Sequence, residues 1–219
     1  MSSTRLELYS YWRSSASYRV RIALHLKGLD HKLHPVHLLR AGGEQHRPDY
    51  LQRNPQGLVP CLVHGATVLT QSLAILEYLE ECFPAVPLLP RSPAGRARAR
   101  MVAQSIACDI HPLNNLRVLK YLEHQADCRP PLRSEWYRHW TETGLRAVEK
   151  LLAQHSPDST FCVGEEPGLA DCCLLPQVYN ARRFHCSLAG CERITDICQR
   201  LEADARIQAA APESQPDAE

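Results

Sequence analysis

The residues best suited to chemistry lie in a hydroxyl-rich run, Arg13-Ser14-Ser15-Ala16-Ser17, between a strand-like and a helix-like segment. A helix that starts there presents unpaired backbone N–H groups and a partial positive charge. Together with serine hydroxyls they make a place for a small anion. Ser14, Ser15 and Ser17 are equally good N-cap residues, and one turn can cap a helix and hold an anion. Gln71-Ser72 precedes a second helical segment, where Ser72 can cap and the helix start can take a carboxylate. Val59-Pro60 stands before a strand. It reads either as an ordinary turn or as a cis bond that exposes the Val59 backbone to an extended peptide. His111, Asn114 and Asn115 share a face near i+3 and i+4, and Arg117 follows Asn114 by three. That spacing allows Arg117 to point into a cleft between domains. Arg13, Arg117, Arg182 and Arg183 could each clamp a carboxylate in bidentate fashion, or be solvated surface cations.

The elements that must position these residues differ between the two halves. Arg5–Ser10 reads as a strand and Ser14–Lys27 as a helix, with Gly28 where a C-cap belongs. His31–Leu38 reads as a second strand, and a short helix fits between Glu44 and Arg53. Val59–Val63 and Thr67–Leu69 read as a hairpin about His64-Gly65, followed by a helix over Gln71–Cys82. The order is βαβ, a short helix, then ββα. Pro84, Pro87, Pro90 and Pro93 mark an ordered linker. Beyond it, Arg96–His124, Leu132–Gln154, Gly168–Phe184 and Ile194–Ala205 read as helices, and the tail from Pro212 as frayed. This predicts an α/β domain over 1–87, a linker over 88–94 and an all-helical domain over 95–219.

Composition narrows the function. The net charge of +1 gives no reason to expect nucleic acid or an anionic membrane as partner. No apolar run approaches the roughly 20 residues of a membrane span, and the first residues lack the pattern of a signal peptide. A cytoplasmic protein is therefore expected. The 10 cysteines are scattered, with neither a Cys-x-x-Cys pair nor a zinc-type spacing, which predicts reduced, mostly buried thiols and no metal.

The stretch Ser14-Ser-Ala-Ser-Tyr-Arg-Val-Arg-Ile-Ala-Leu24 resembles the opening helix of zeta-class glutathione transferases, which include maleylacetoacetate isomerases and bacterial maleylpyruvate isomerases. The resemblance continues through Asn54-Pro-Gln-Gly-Leu-Val-Pro60, Gln71-Ser-Leu-Ala-Ile-Leu-Glu-Tyr-Leu-Glu80 and Cys108-Asp-Ile-His-Pro-Leu-Asn-Asn115. It ends with Leu169-Ala-Asp171, Leu175-Pro-Gln177 and Gln215-Pro-Asp217. It implies a thioredoxin-like N-terminal domain, an all-α C-terminal domain, glutathione as cofactor and a homodimer. It also implies that Ser14 and Ser15, with Gln45, Val59, Pro60, Gln71, Ser72, His111 and Asn115, hold glutathione. Arg13, His111, Arg117 and one of Arg182 and Arg183 would then line the pocket for a maleyl diacid. Asp171 would sit at N3 of its helix, capped weakly by Gly168 in place of the usual Ser or Thr.

One departure shapes the implied chemistry. Ala16 stands where the family often has cysteine, so the thiol must come from glutathione, with Ser14 or Ser15 as its hydroxyl partner. Tyr9 and Tyr11 are rivals, since other transferase classes use a tyrosine near this strand. A thiolate adds to the conjugated alkene of a maleyl ketone, frees the former double bond to rotate, and is expelled to leave the fumaryl isomer. Lowering a thiol pKa of about 8.5 by roughly two units takes about 2.7 kcal/mol. A helix terminus supplies about 0.3–2 kcal/mol, so a hydroxyl and a backbone N–H bond must provide the rest.

Overall fold

The computed structural model describes residues 5–219. Two compact units emerge, one of residues up to Leu88 joined by Ala203–Glu219, the other Leu89–Glu202. The first contains β1 (Leu6–Ser10), α1 (Ser15–Leu26), β2 (His31–Pro35), α2 (Pro48–Leu51), β3 (Cys61–His64), β4 (Thr67–Thr70) and α3 (Ser72–Cys82). Its sheet has the order β2-β1-β3-β4, with β2 parallel to β1 and the other pairs antiparallel. This is the thioredoxin-like arrangement expected.

Strand alternation explains the layering. Leu6 and Leu8 are buried on β1, as are Val20, Ile22 and Leu24 of α1 and Ile75, Leu76 and Leu79 of α3. Each such side chain contributes about 1.5–3 kcal/mol on burial. A second cluster gathers Tyr11, Trp12, Val36, Tyr50, Val59 and Cys61, with Tyr9 and Leu38 against it. Near the sheet, β2 stops at Pro35 rather than Leu38. There the chain turns, and the His37 amide donates to the Glu44 carboxylate at 2.7 Å. The hairpin turn falls one residue later than predicted, at Gly65-Ala66, where Gly65 takes φ 62°.

The second unit is helical: α4 (Pro93–Gln104), α5 (Leu116–His124), α6 (Leu132–His155), α7 (Leu169–Arg183) and most of α8 (Glu192–Ala203). The single helix expected over Arg96–His124 is instead three pieces. A π-helical turn over Ser105–Ile110 and a 3-10 turn over His111–Asn114 separate α4 from α5. Pro112 has no N–H to donate, and the Asn115 side chain accepts from Arg117 N at 3.1 Å to start a new helix. Gly144 of α6 faces the π-turn, where a Cβ would meet Ile110 Cγ1 at 2.3 Å.

The α7 helix is buried from Leu169 to Val178. Asp171 occupies N3, as predicted, and accepts from Gly168 N at 2.9 Å and Cys162 N at 3.0 Å. Burial pushes its carboxyl pKa up, against the pull of those amides.

The tail corrects the sequence reading. Rather than fraying, α9 (Ala205–Ala210) packs on α1, Pro212 is buried, and Gln215 Nε2 donates to the carbonyls of Ala209 and Ala211 at 3.1 and 2.8 Å.

All ten cysteines are free thiols. Burial pushes Cys61 and Cys186 up to about 11, and Cys198 higher still. Only Cys82 and Cys108 are exposed. Brief iodoacetamide treatment of the native protein should label these two and spare the rest, as peptide mass mapping would show.

Candidate active site

The serine turn is built by local bonds. Ser14 N donates to the Tyr11 carbonyl at 3.0 Å, closing Tyr11–Ser14. Ser14 is the N-cap of α1, and its hydroxyl oxygen accepts from Ser17 N at 3.2 Å. That bond uses a lone pair and leaves the O–H proton to be donated elsewhere. Ser15 is the first helical residue and is buried, whereas Ser14 is half-buried. No acidic residue lies in the first turn of α1 to oppose an anion.

Arg13 is held beside this turn. Its Nη2 donates to the Tyr11 hydroxyl at 3.2 Å, and its guanidinium lies 4.7 Å from the Trp12 ring centroid. Tyr11 is thus a positioning partner of Arg13. Tyr9 stacks on His34 with centroids 4.5 Å apart, and the Arg53 guanidinium lies 4.8 Å from its ring.

The next loop is braced from below. Tyr50 Oη and Asn54 Nδ2 both donate to the Leu58 carbonyl, at 2.6 and 2.7 Å. They hold the backbone that leads into Val59-Pro60, whose peptide bond is cis. Gln45 is buried, with its Oε1 lacking a hydrogen-bond partner. Gly43 lies beside it at φ 108°, a backbone conformation that residues with a side chain rarely adopt.

Gln71 and Ser72 open α3 differently from the expectation. Gln71, not Ser72, is the N-cap, and its side chain makes no capping bond. Its φ of 69° is a left-handed conformation that a non-glycine residue adopts at a cost of order 1–3 kcal/mol. Its Nε2 donates to Gln56 Oε1 at 2.7 Å, tying it to the Asn54–Pro60 loop. The buried Ser72 hydroxyl accepts from Arg19 Nη1 at 3.1 Å and keeps its own proton to donate. A strained residue ahead of a helix N-terminus, with a buried cation behind a hydroxyl, is a fitting receptor for a carboxylate. Together with the orphaned Gln45 oxygen, these groups suit the polar ends of a small peptide.

Within the helical unit, Asn115 Nδ2 lies 3.4 Å from His111 Nε2, so the predicted pair meets. Asn114 turns away to donate to Thr141 Oγ1 at 2.8 Å. Arg117 is exposed and meets Asn115 through its main chain. Arg182 is paired with Glu202, while the Arg183 guanidinium lies 4.6 Å from the Phe184 ring centroid.

Sequence reasoning missed Arg19 and Arg21, 1 % and 0 % exposed. The signal was present: two arginines flank Val20 in a helix that is otherwise read by its apolar face.

Comparison with known proteins agrees with this fold. The family model for the glutathione S-transferase N-terminal domain matches residues 13–82. Maleylacetoacetate isomerase of Pseudomonas aeruginosa is 47 % identical, over 97 % of this chain and 98 % of its own. The holo structure of a bacterial zeta-class maleyl pyruvate isomerase superposes with a TM-score of 0.93 at 41 % identity, covering 97 % and 100 % of the two chains. A maleylacetoacetate isomerase from Methylobacterium extorquens, solved with bound malonate and glutathione, gives a TM-score of 0.92 at 40 % identity, covering 97 % and 99 %. The serine turn on a thioredoxin-like sheet, followed by a helical unit and matched along nearly its whole length, places the chain in the zeta class of the glutathione transferase family.

Proposed function

We propose that this protein is a glutathione-dependent cis–trans isomerase that converts a maleyl keto-diacid, maleylacetoacetate, to its fumaryl isomer in aromatic catabolism. The observation that carries the reading is the α1 N-terminus. It offers a hydroxyl proton on Ser14 and a cation on Arg13, with Ala16 where a protein thiol would otherwise stand. When bound, glutathione supplies a thiolate that adds reversibly to the conjugated alkene and so permits rotation about it. Ser14 donates its proton toward that sulfur, and the helix start adds favourable charge. Ser72 and Gln71 would hold the γ-glutamyl end and the Val59 backbone would pair with the cysteinyl part, and the family resemblance adds Gln45, His111 and Asn115 as contacts. For the substrate's carboxylates the start of α1 offers Arg13, and the family resemblance implies Arg117 and one of Arg182 and Arg183. Arg182 is committed to Glu202.

A second reading, maleylpyruvate isomerase, is favoured by the TM-score of 0.93 to a protein of that name. One assay separates the two. The purified protein is incubated with each maleyl substrate, with and without glutathione, and fumaryl product and glutathione are both followed. Isomerisation that requires glutathione without consuming it is the expected result, and the faster substrate identifies the reaction. Consumption of glutathione into a stable adduct would instead assign a general transferase. The family resemblance also supports a cytoplasmic homodimer, and molar mass in solution by light scattering would test the dimer. No helix among the described residues is long and apolar enough to cross a membrane.

A further inference from the structure

The C-terminal tail reaches the serine turn. Trp12 N, on the residue before Arg13, donates to Asp217 Oδ2 at 3.0 Å. The carbonyl of the same residue accepts from Arg21 Nη2 at 2.9 Å, while Arg21 Nε donates to the Ala210 carbonyl at 2.9 Å. Both backbone polar groups of Trp12 are therefore fixed by groups that belong to, or are bonded to, the tail. A second route runs through Glu219. It pairs with Arg40 at 2.7 Å and His37 at 3.4 Å, and the His37 ring packs edge-on against Tyr11 with centroids 5.0 Å apart. Tyr11 in turn accepts from Arg13. The Gln215 bonds to the end of α9 hold the tail in the path that brings Asp217 to Trp12.

Arg13 is anchored to the Trp12 ring and the Tyr11 hydroxyl, so its place follows that of the Trp12 backbone. We infer that Asp217 is a positioning residue for Arg13: by accepting from the Trp12 amide it sets the guanidinium for a substrate carboxylate. This rests on the isomerase reading only for the choice of diacid. A bound carboxylate needs its cation placed to a fraction of an ångström, and an amide without its acceptor is free to tilt.

The test compares Asp217→Ala with Asp217→Asn, which retains an oxygen acceptor. In Asp217→Ala the KM for the maleyl diacid should rise about tenfold, with the glutathione dissociation constant within about twofold of the parent. Asp217→Asn should recover the KM to within about threefold. Calorimetric binding of maleate in the presence of glutathione reads the same placement without turnover. A tenfold loss there supports the inference even if the parent isomerises neither substrate, which would overturn the isomerase reading alone. An unchanged KM and maleate affinity in Asp217→Ala would overturn the inference. So would a parallel loss of glutathione, diacid and thermal stability that asparagine fails to rescue.

Discussion

Replacing Ser14 with alanine is expected to lower the isomerisation turnover number by one to two powers of ten, about the worth of a hydrogen bond to a charged group. The Ser14 oxygen already accepts from Ser17 N, so its proton is the part available to an anion at the helix start. A thiol of ordinary pKa, about 8.5, is mostly protonated at neutral pH, and each lost hydrogen bond returns it toward that state. The same substitution removes the N-cap and should lower stability by about 1 kcal/mol. Activity and stability must therefore be measured apart: turnover at saturating glutathione, thiolate fraction by ultraviolet absorbance, and the denaturant midpoint. Ser14→Thr keeps a hydroxyl and should recover most of the turnover. Ser15→Ala should be milder, because Ser15 is the buried first residue of α1. If Ser15→Ala were the crippling change and Ser14→Ala nearly silent, the roles of the two serines would be exchanged.

The largest effect on stability is expected from Glu80→Ala, about 3–5 kcal/mol, seen as a lower urea midpoint. Lys27 Nζ donates to Glu80 Oε2 at 3.0 Å, with side-chain exposures of 1 % and 8 %. The same ammonium donates to the carbonyls of Phe83 and Val86 at 2.9 and 2.7 Å. Glu80 also accepts from Leu88 N at 2.7 Å. The pair thus joins the end of α1 to the end of α3 and to the chain leaving it. Removing the carboxylate leaves a buried cation without its counter-charge and a buried amide without its acceptor. A double change, Lys27→Met with Glu80→Leu, removes both charges but still strands the Phe83 and Val86 carbonyls and the Leu88 amide. It should therefore recover only part of the loss. Full stability in Glu80→Ala would show that water replaces the carboxylate and that the pair contributes nothing.

Features set by neighbours along the chain were legible in the sequence. The βαβ-then-ββα order follows from two periodicities, and the α1 start from hydroxyl residues beside an apolar-periodic segment. The family resemblance places Asp171 at N3, and its bond to Gly168 spans only three residues. Buried, reduced cysteines follow from scattered spacing in a chain with ample apolar content. The capping groups of α1 and α7 lie within a turn of one another, so spacing alone brings them together.

Only the tertiary structure decided which distant groups meet. Arg19 reaches Ser72 across 53 positions, and Asp217 reaches Trp12 across 205. No local period carries such pairings, because they depend on how whole helices pack on the sheet. The break in Arg96–His124 is an intermediate case. Pro112 and Asn115 were visible, but the π-turn between Ser105 and Ile110 packs against Gly144 of α6, more than thirty residues away by sequence number. The residues able to do the chemistry were thus chosen by local sequence, whereas the buried arginines and the tail that fix their positions were chosen by the fold, since a buried polar group must find its partner wherever packing places one.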